Sequence, residues 1–232
     1  MNIVVVDDYA KSQVATINWI NKQLGLTLLF SAINGFDLLK QMNKHKVLPD
    51  IILMDIRMKP IDGCAATYFL KKQYSSIKII AVTGFIEKEI IRQAIICGVD
   101  AYVFKPQREI FLLEAIEHVM QEQFYLDVRL TQEIDAIILS NYFKIKSIFW
   151  KKSEGVLTAR ESIFVALVST ELAYKEVAEL MNVEEKTIQT MFARVSEKLG
   201  LKNQKELVLY CLQNGLAVNV DFSYSNIAKE VA

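Results

Sequence analysis

Residues 51–55 read IILMD, four apolar residues followed by an aspartate. This pattern recurs as IVVVDD at 3–8, IIAVT at 79–83 and AYVFK at 101–105, while a fifth apolar run, TLLFSA, occupies 27–32. Short apolar runs of this kind are typical of strands that are buried on both faces of a parallel sheet. We therefore predict five parallel strands, four of which end at a polar side chain.

The segments between these runs have the period of helices, as in Val14, Ile17, Ile20 and Leu24. Alternating strands and helices predict an α/β fold with a doubly wound sheet of flavodoxin-like order. Right-handed crossovers bring the C-terminal ends of all the strands to one edge, where ligands of such sheets bind. We expect the polar residues at the strand ends to meet there: Asp7, Asp8, Asp55, Thr83 and Lys105.

Three carboxylates at one edge favour a bound cation. Two like unit charges about 4 Å apart repel by roughly 4 kcal/mol at an effective dielectric constant near 20. Asp7, Asp8 and Asp55 are therefore not expected to be ionised together unless a cation binds beside them. Hard oxygen ligands select Mg²⁺, with Mn²⁺ as a substitute. Mg²⁺ prefers one or two carboxylates with a phosphoryl oxygen, which makes Asp55 a candidate nucleophile toward phosphorus. Thr83 is then expected to hydrogen-bond the phosphoryl group, and Lys105 to neutralise its oxygens.

The motifs VVVDD, LMDIRMKPIDG, AVTG and YVFKP together resemble the receiver domain of two-component response regulators, over residues 1 to about 120. This resemblance implies that Asp7 and Asp8 hold Mg²⁺ beside Asp55, with the backbone carbonyl of Arg57. It also implies that a sensor histidine kinase transfers phosphate to Asp55.

Further roles follow from the same resemblance. Thr83 and Lys105 would bind the phosphoryl group, and Tyr102 matches the switch aromatic of the family. The loop after the phosphoacceptor departs from the family pattern, because the usual Met-Pro pair has become Met58-Lys59-Pro60. A phosphatase with an aspartyl nucleophile would need a second aspartate where Arg57 stands, so we do not expect an enzyme.

Composition agrees with a regulator of the cytoplasm. The chain of 232 residues is long enough for two domains, and its 27 basic and 27 acidic residues balance. The sequence has no overall excess of one charge and no uninterrupted apolar stretch of about 18 residues, so nothing in it indicates a membrane protein. No charged-then-apolar leader opens the sequence. Cys64, Cys97 and Cys211 are odd in number and far apart, which favours reduced, buried thiols.

We divide the chain into a receiver domain at 1–120, a partly helical linker at 121–154, a helical domain at 155–215 and a tail at 216–232. The linker sequence FYLDVRLTQEI also resembles the linker of NarL/LuxR-type regulators.

The helical domain shows helix signals only. Thr158 with Glu161, and Asn203 with Glu206, form capping boxes that open the first and last helices. Between them a short helix at 175–181, a turn at 182–184 and a longer helix at 185–199 predict a helix-turn-helix. We therefore expect an all-α domain of four helices.

The longer helix has two faces. An apolar stripe recurs at helical spacing, and polar residues lie opposite. The stripe is Ile188, Met191, Phe192, Val195 and Leu199. Periodicity alone favours an ordinary solvated face for the polar side. A recognition helix would instead present side chains that read base edges, and Gln189 and Arg194 are suited to that task.

Residues 157–215, with LTARE, KEVAELMNV and KTIQTMFARVSEKLGL, resemble the DNA-binding domain of NarL/LuxR-type transcription factors. With the receiver, this resemblance covers nearly the whole chain and implies a homodimer that binds double-stranded DNA. The expected contacts lie on or just after the longer helix: Lys186, Gln189, Thr190, Ala193, Arg194, Lys198, Lys202 and Lys205.

Several contact positions depart from the family. Gln189 replaces a customary lysine, Met191 a histidine, Gln204 an arginine and Tyr174 an asparagine. Residues 151–215 hold nine basic and nine acidic residues, without the basic excess of a tight DNA binder. Two hypotheses therefore stay open. One is a transcription factor controlled by phosphorylation, and the other is a protein-binding adaptor whose helical domain has lost DNA binding.

Overall fold

The structure is a computed structural model, in which the chain divides into two compact units, residues 1–148 and 149–232. Each unit is described by itself. The described residues are 1–106, 108–130, 134–136, 138–141, 143, 157–168, 172–181 and 183–213. Much of the predicted linker and all of the predicted tail lie outside them, so the proposed domain limits stay predictions.

The first unit alternates strands and helices. Its strands are β1 (Asn2–Val6), β2 (Thr27–Ala32), β3 (Ile51–Met54), β4 (Lys78–Thr83), β5 (Ala101–Phe104) and β6 (Tyr125–Leu126). Its helices in residues 1–130, apart from residue 107, are α1 (Ala10–Ile20), α2 (Gly35–Lys44), α3 (Gly63–Gln73), α4 (Lys88–Cys97) and α5 (Arg108–Met120), followed by a 3₁₀ helix at Val128–Leu130.

All the strand pairs are parallel, and the order across the sheet is β2-β1-β3-β4-β5-β6. This order confirms the α/β class and the flavodoxin-like arrangement of the first five strands. The expectation of only five strands was wrong, since β6 pairs with β5 at the sheet edge. Two residues are too few to show the period of a strand, and β6 lies in the stretch that we assigned to the linker.

The central strands are buried on both faces, as the apolar runs predict. Neighbouring residues of one strand, such as Ile3 and Val4, point to opposite faces and are both fully buried. One face packs against α1 and α5 through residues such as Ile20 and Leu112. Burial of each such side chain stabilises the fold by roughly 1.5–3 kcal/mol relative to exposure. The packed sheet gives its C-terminal edge a rigid base.

The second unit contains four helices in its described residues, as predicted. They are α6 (Ala159–Val168), α7 (Tyr174–Met181), α8 (Glu185–Leu199) and α9 (Gln204–Gln213). α7 and α8 are the two helices of the predicted helix-turn-helix, and α8 has the predicted bounds. On α8, Ile188, Met191 and Val195 are buried, so the apolar stripe faces the core of the unit.

Both capping boxes form. The Thr158 hydroxyl accepts a hydrogen bond from the backbone N–H of Glu161, and the Glu161 carboxylate accepts one from Thr158 N–H at 2.8 Å. The Asn203 side-chain oxygen accepts the N–H of Glu206 at 3.0 Å. Each box satisfies N–H groups that the first turn of a helix leaves without partners.

Two further features concern apolar helices and cysteines. None of the helices in the described parts of the chain is long and apolar enough to span a bilayer. Cys64 and Cys97 are buried free thiols, as predicted, while the side chain of Cys211 is not among those that the structure describes.

Candidate functional site

Three carboxylates meet at the C-terminal edge of the sheet. β1 and β3 are neighbours in register, so their ends place Asp7 and Asp8 beside Asp55. The Asp55 N–H donates to Val6 O at 2.9 Å, which fixes this pairing. The carboxylate oxygens of the three residues lie within 4.8 Å of one another, and only Asp8 is exposed. The sequence-predicted acidic cluster therefore forms as expected.

Lys105 reaches into this cluster from the end of β5. Its Nζ lies 2.6 Å from Oδ2 of Asp55 and 2.9 Å from Oδ2 of Asp7. Its backbone N–H donates to Thr83 O at 2.8 Å, which ties it to the neighbouring strand. Burial raises the pKa of Asp55 above the usual carboxyl value, and the charge of Asp7 adds to the rise, while Lys105 opposes it. The lysine is thus the cation that the crowded carboxylates hold in this structure.

Thr83 ends β4 at the same edge and is fully buried. Its hydroxyl oxygen has no hydrogen-bond partner among the described residues. A hydroxyl can donate one bond and accept two, and leaving it unpaired inside a protein costs about 1–3 kcal/mol. An acceptor oxygen of an incoming group would relieve that cost.

The loop after β3 folds tightly against the backbone of Asp55. Gly63 N–H donates to Ile56 O at 2.8 Å, and a Cβ at Gly63 would lie 2.0 Å from the carbonyl oxygen of Asp55. Only glycine fits such an approach. The peptide bond between Lys59 and Pro60 is cis. Gly63 closes the motif LMDIRMKPIDG, but its steric role was not predicted, because an IDG sequence alone signals such a close approach only weakly.

Tyr102 lies inside the protein rather than at its surface. Its hydroxyl donates to Phe85 O, in the loop after β4, at 2.8 Å. Burial raises the pKa of Tyr102 above its usual value, so the phenol stays protonated. The guanidinium of Arg57 stacks over the Phe85 ring at 5.4 Å from its centroid. Phe85, which the sequence did not single out, thus links Tyr102 to the loop that follows Asp55.

The donor set fits a hard divalent cation. Three carboxylates within 4.8 Å supply the oxygen ligands that Mg²⁺ prefers, and burial of Asp7 and Asp55 makes their charges costly without a counter-ion. Arg57 is exposed, and the part expected of its backbone carbonyl stays a prediction.

The predicted DNA contacts fall into two groups. On α8, Gln189, Thr190, Ala193 and Arg194 are exposed and follow one another at helical spacing. Lys202 and Lys205 are exposed around the start of α9. These residues present a polar surface of the kind that a recognition helix needs.

The two other lysines pair within the chain. Lys186 lies 2.7 Å from Glu184 at an exposed position, where such pairs are weak. Lys198 donates to Glu161 Oε2 at 2.8 Å, and the Glu161 carboxylate is nearly buried. Burial tends to raise the pKa of Glu161, but Lys198 and Thr158 outweigh it and hold that pKa below its usual value. Lys198, itself exposed, is therefore paired with a nearly buried carboxylate, which the sequence did not reveal because its partner lies in another helix.

Two family models match this chain. The model described as "Response regulator receiver domain" matches residues 3–117, and "Bacterial regulatory proteins, luxR family" matches residues 155–211. These two matches define a protein with a receiver followed by a LuxR-type helix-turn-helix domain.

Similar proteins align with this chain over nearly their whole length. "Oxygen regulatory protein NreC" of Staphylococcus aureus is 29% identical over 217 residues, covering 93% of this chain and 99% of its own. "Response regulator protein VraR" of Staphylococcus epidermidis is 26% identical over 219 residues, covering 93% and 98%. The chain belongs to the two-component response regulators with a LuxR-type DNA-binding domain.

Solved structures agree in fold. The RcsB response regulator of Salmonella typhimurium has a TM-score of 0.52 at 18% identity and covers 92% of this chain and 99% of its own. A structure of two RcsB dimers bound to two parallel DNAs has a TM-score of 0.52 at 18% identity, covering 90% and 96%. At this identity the likeness supports the fold alone.

Proposed function

We propose that this protein is a cytoplasmic response regulator that a sensor histidine kinase phosphorylates on Asp55, and that it controls transcription by binding double-stranded DNA as a homodimer. The main support for phosphorylation of Asp55 is that Asp55, Lys105 and Thr83 meet at one sheet edge, where the Thr83 hydroxyl has no hydrogen-bond partner in the described part of the chain. No separate enzymatic activity is proposed, because Asp55 acts as an acceptor of phosphate.

The chemistry follows from these positions. Asp7, Asp8 and Asp55 would hold Mg²⁺, or Mn²⁺ in its place, and the bound ion would neutralise oxygens of the phosphoryl group. A carboxylate oxygen of Asp55 attacks phosphorus, so the bond from phosphorus to the donor breaks as the new P–O bond forms. Lys105, already 2.6 Å from Asp55, moves its contact to a phosphoryl oxygen and balances the charge that develops there.

The test is phosphate labelling. The full chain with Mg²⁺ and acetyl phosphate should take up one hydroxylamine-labile phosphate, and Asp55→Ala should take up none. Asp50→Asn is the matched control, because this carboxylate precedes the same strand at the opposite edge of the sheet. Equal labelling of the Asp55→Ala protein would reject the site.

Phosphate is expected to act through Thr83 and Tyr102. The buried Thr83 hydroxyl gains an acceptor once the phosphoryl group arrives, and that contact moves the loop between Thr83 and Phe85. The Tyr102 hydroxyl donates a hydrogen bond to Phe85 O on the same loop. We therefore expect the phosphorylated protein to favour the conformation in which the Tyr102 side chain is buried. Self-association is the expected response.

DNA binding is proposed through α8. Gln189 and Arg194 are exposed at positions from which a recognition helix reads adenine and guanine edges. RcsB, which has a similar fold, has been solved in a complex with DNA, and this supports DNA binding as the proposed role of the chain without assigning residues. A homodimer would present two such helices, so the expected site is two symmetric half-sites at a fixed spacing.

The salt dependence should be shallow. Each neutralised phosphate contributes about 0.9 to the slope of log affinity against log salt concentration. Lys186, Lys198, Lys202 and Lys205 are the expected phosphate contacts, and the first two already pair with carboxylates. Lys202→Ala should therefore weaken binding to all sequences more than Lys186→Ala. Arg194→Ala should lose base discrimination of about 1–3 kcal/mol at one position.

The adaptor remains the second candidate, and the pairing of Lys198 with the nearly buried Glu161 favours it. Selection from random duplexes, with and without acetyl phosphate, separates the hypotheses. An enriched two-fold symmetric sequence supports the transcription factor, whereas retention of no duplex by the phosphorylated protein at low salt supports the adaptor.

A further inference from the structure

The chain just after α5 returns to the sheet beside Lys105. Asp127, which follows β6, is fully buried. Its backbone N–H donates to Tyr102 O at 3.0 Å, and its Oδ2 accepts the N–H of Phe104 at 3.0 Å. One residue of the predicted linker thus contacts both the switch tyrosine and the residue before the lysine.

Arg129, in the 3₁₀ helix, contacts both Asp127 and the backbone around Lys105. Its Nε donates to Asp127 Oδ1 at 2.9 Å, and one Nη donates to Asp127 Oδ2. The guanidinium also donates to Phe104 O at 2.7 Å and to Pro106 O. It lies 4.0 Å from the centroid of the Phe111 ring, which restricts its plane. Four of the five guanidinium N–H donors are therefore used.

The two carbonyl groups that Arg129 holds flank Lys105 on either side along the chain. The N–H of Lys105 itself donates to Thr83 O. The backbone at 104–106 is therefore fixed from β4 on one side and from the Asp127–Arg129 pair on the other. Burial would raise the pKa of Asp127, but Arg129 and the N–H donors outweigh it and hold that pKa below the usual value. The pair is ionised at neutral pH, and its hydrogen bonds are charge-assisted.

We propose that Asp127 and Arg129 are positioning residues for Lys105, and that by fixing the 104–106 backbone they make the start of the linker part of the phosphoacceptor site. Neither residue touches the phosphoryl group. They set where the lysine stem begins, and so whether Nζ can follow the phosphoryl oxygens. This inference rests on the proposed function of Asp55 and adds residues to it.

The experiment compares Arg129→Gln with the parent in the full chain. Arg129→Gln should slow labelling from acetyl phosphate by about tenfold at saturating Mg²⁺, because small misplacements of a charge-stabilising group are costly. Its Mg²⁺ affinity, measured by calorimetry, should stay within about twofold, since neither Asp127 nor Arg129 is among the proposed Mg²⁺ ligands Asp7, Asp8 and Asp55. Arg92→Gln is the matched control, because it removes an arginine from an exposed pair with Glu89 and should match the parent in both measurements.

A merely structural role gives a different result. General loosening of the unit would weaken Mg²⁺ binding and labelling together, and that outcome overturns the proposal, as does labelling at the parent rate. Arg129→Lys keeps the charge but cannot hold both carbonyl groups, so it should label as slowly as Arg129→Gln; recovery of the parent rate would show that charge alone suffices and would also overturn it. If Arg129→Gln does not fold, Arg129→Lys alone carries the same comparison. Failure of the proposed function is distinct, because then the parent itself is not labelled on Asp55.

Discussion

Replacing Gly63 with alanine should disable phosphorylation without touching any charged group. The added Cβ would lie 2.0 Å from the carbonyl oxygen of Asp55, and ordinary contact begins at 3.4 Å. The backbone of one of the two residues must therefore shift by about 1.4 Å. The obstacle is the backbone of the phosphoacceptor itself, so a side-chain rotation cannot relieve it.

The magnitude follows from this overlap. Overpacking of a rigid site typically costs about 1–3 kcal/mol of the free energy of unfolding. A displacement near 1 Å at a reacting group can lower its rate by about 100-fold. We therefore expect Gly63→Ala to remain folded, to unfold at a lower urea concentration, and to label from acetyl phosphate about 100-fold more slowly than the parent.

Gly84→Ala is the matched control. This glycine follows Thr83 at the same sheet edge, yet a Cβ there would have no atom within 4 Å, and its φ is not positive. Urea unfolding and timed phosphate incorporation should leave this variant close to the parent. A Gly63→Ala protein that is as stable as the parent and labels at the parent rate would refute the close approach of the loop to Asp55.

Three further predictions concern charge and coupling. Mg²⁺ at about 100 times its dissociation constant should stabilise the parent against thermal unfolding by roughly 2.7 kcal/mol. Asp8→Asn should lose most of this stabilisation. A full Mg²⁺ effect in the variant would exclude Asp8 as a ligand. The lowered pKa of Asp127 stabilises the folded state fully above about pH 4, the ordinary carboxyl pKa, and this stability is lost as the pH falls through the lowered pKa. Asp127→Asn should therefore make the free energy of unfolding in urea depend less on pH at acidic pH. An unchanged pH dependence would contradict this. Thr83→Ala should accept phosphate nearly as the parent does but associate less on phosphorylation, measured by sedimentation; a parental response would show that the signal takes another route.

The sequence predicted the strands well because each central strand is an apolar run buried on both faces. The same reason placed Asp55, Thr83 and Lys105 together, since parallel strands all end at one edge. The short strand β6 has no such signal, because two residues show no period and their burial depends on the neighbouring β5. The existence of that strand is a property of the folded sheet.

Long-range partners of charged groups were also beyond the sequence. Lys198 was expected to contact DNA, but it holds Glu161, a residue 37 positions earlier whose capping role was predicted correctly. The hydroxyl contact of Tyr102 with Phe85 likewise depends on a loop conformation that composition does not encode. Sequence patterns identify which residues can form ion pairs or hydrogen bonds, whereas the fold determines which partner each of them contacts.

The sixth strand has a practical consequence for exchanging output domains between regulators of this kind. A chimera joined at residue 120 would cut away β6 together with Asp127 and Arg129, and so leave the edge of β5 and the backbone around Lys105 unsupported. A junction placed after Leu130 keeps them, because the 3₁₀ helix ends there with Leu130 buried. We therefore expect the border at which the receiver can be exchanged to follow these hydrogen bonds rather than the end of α5.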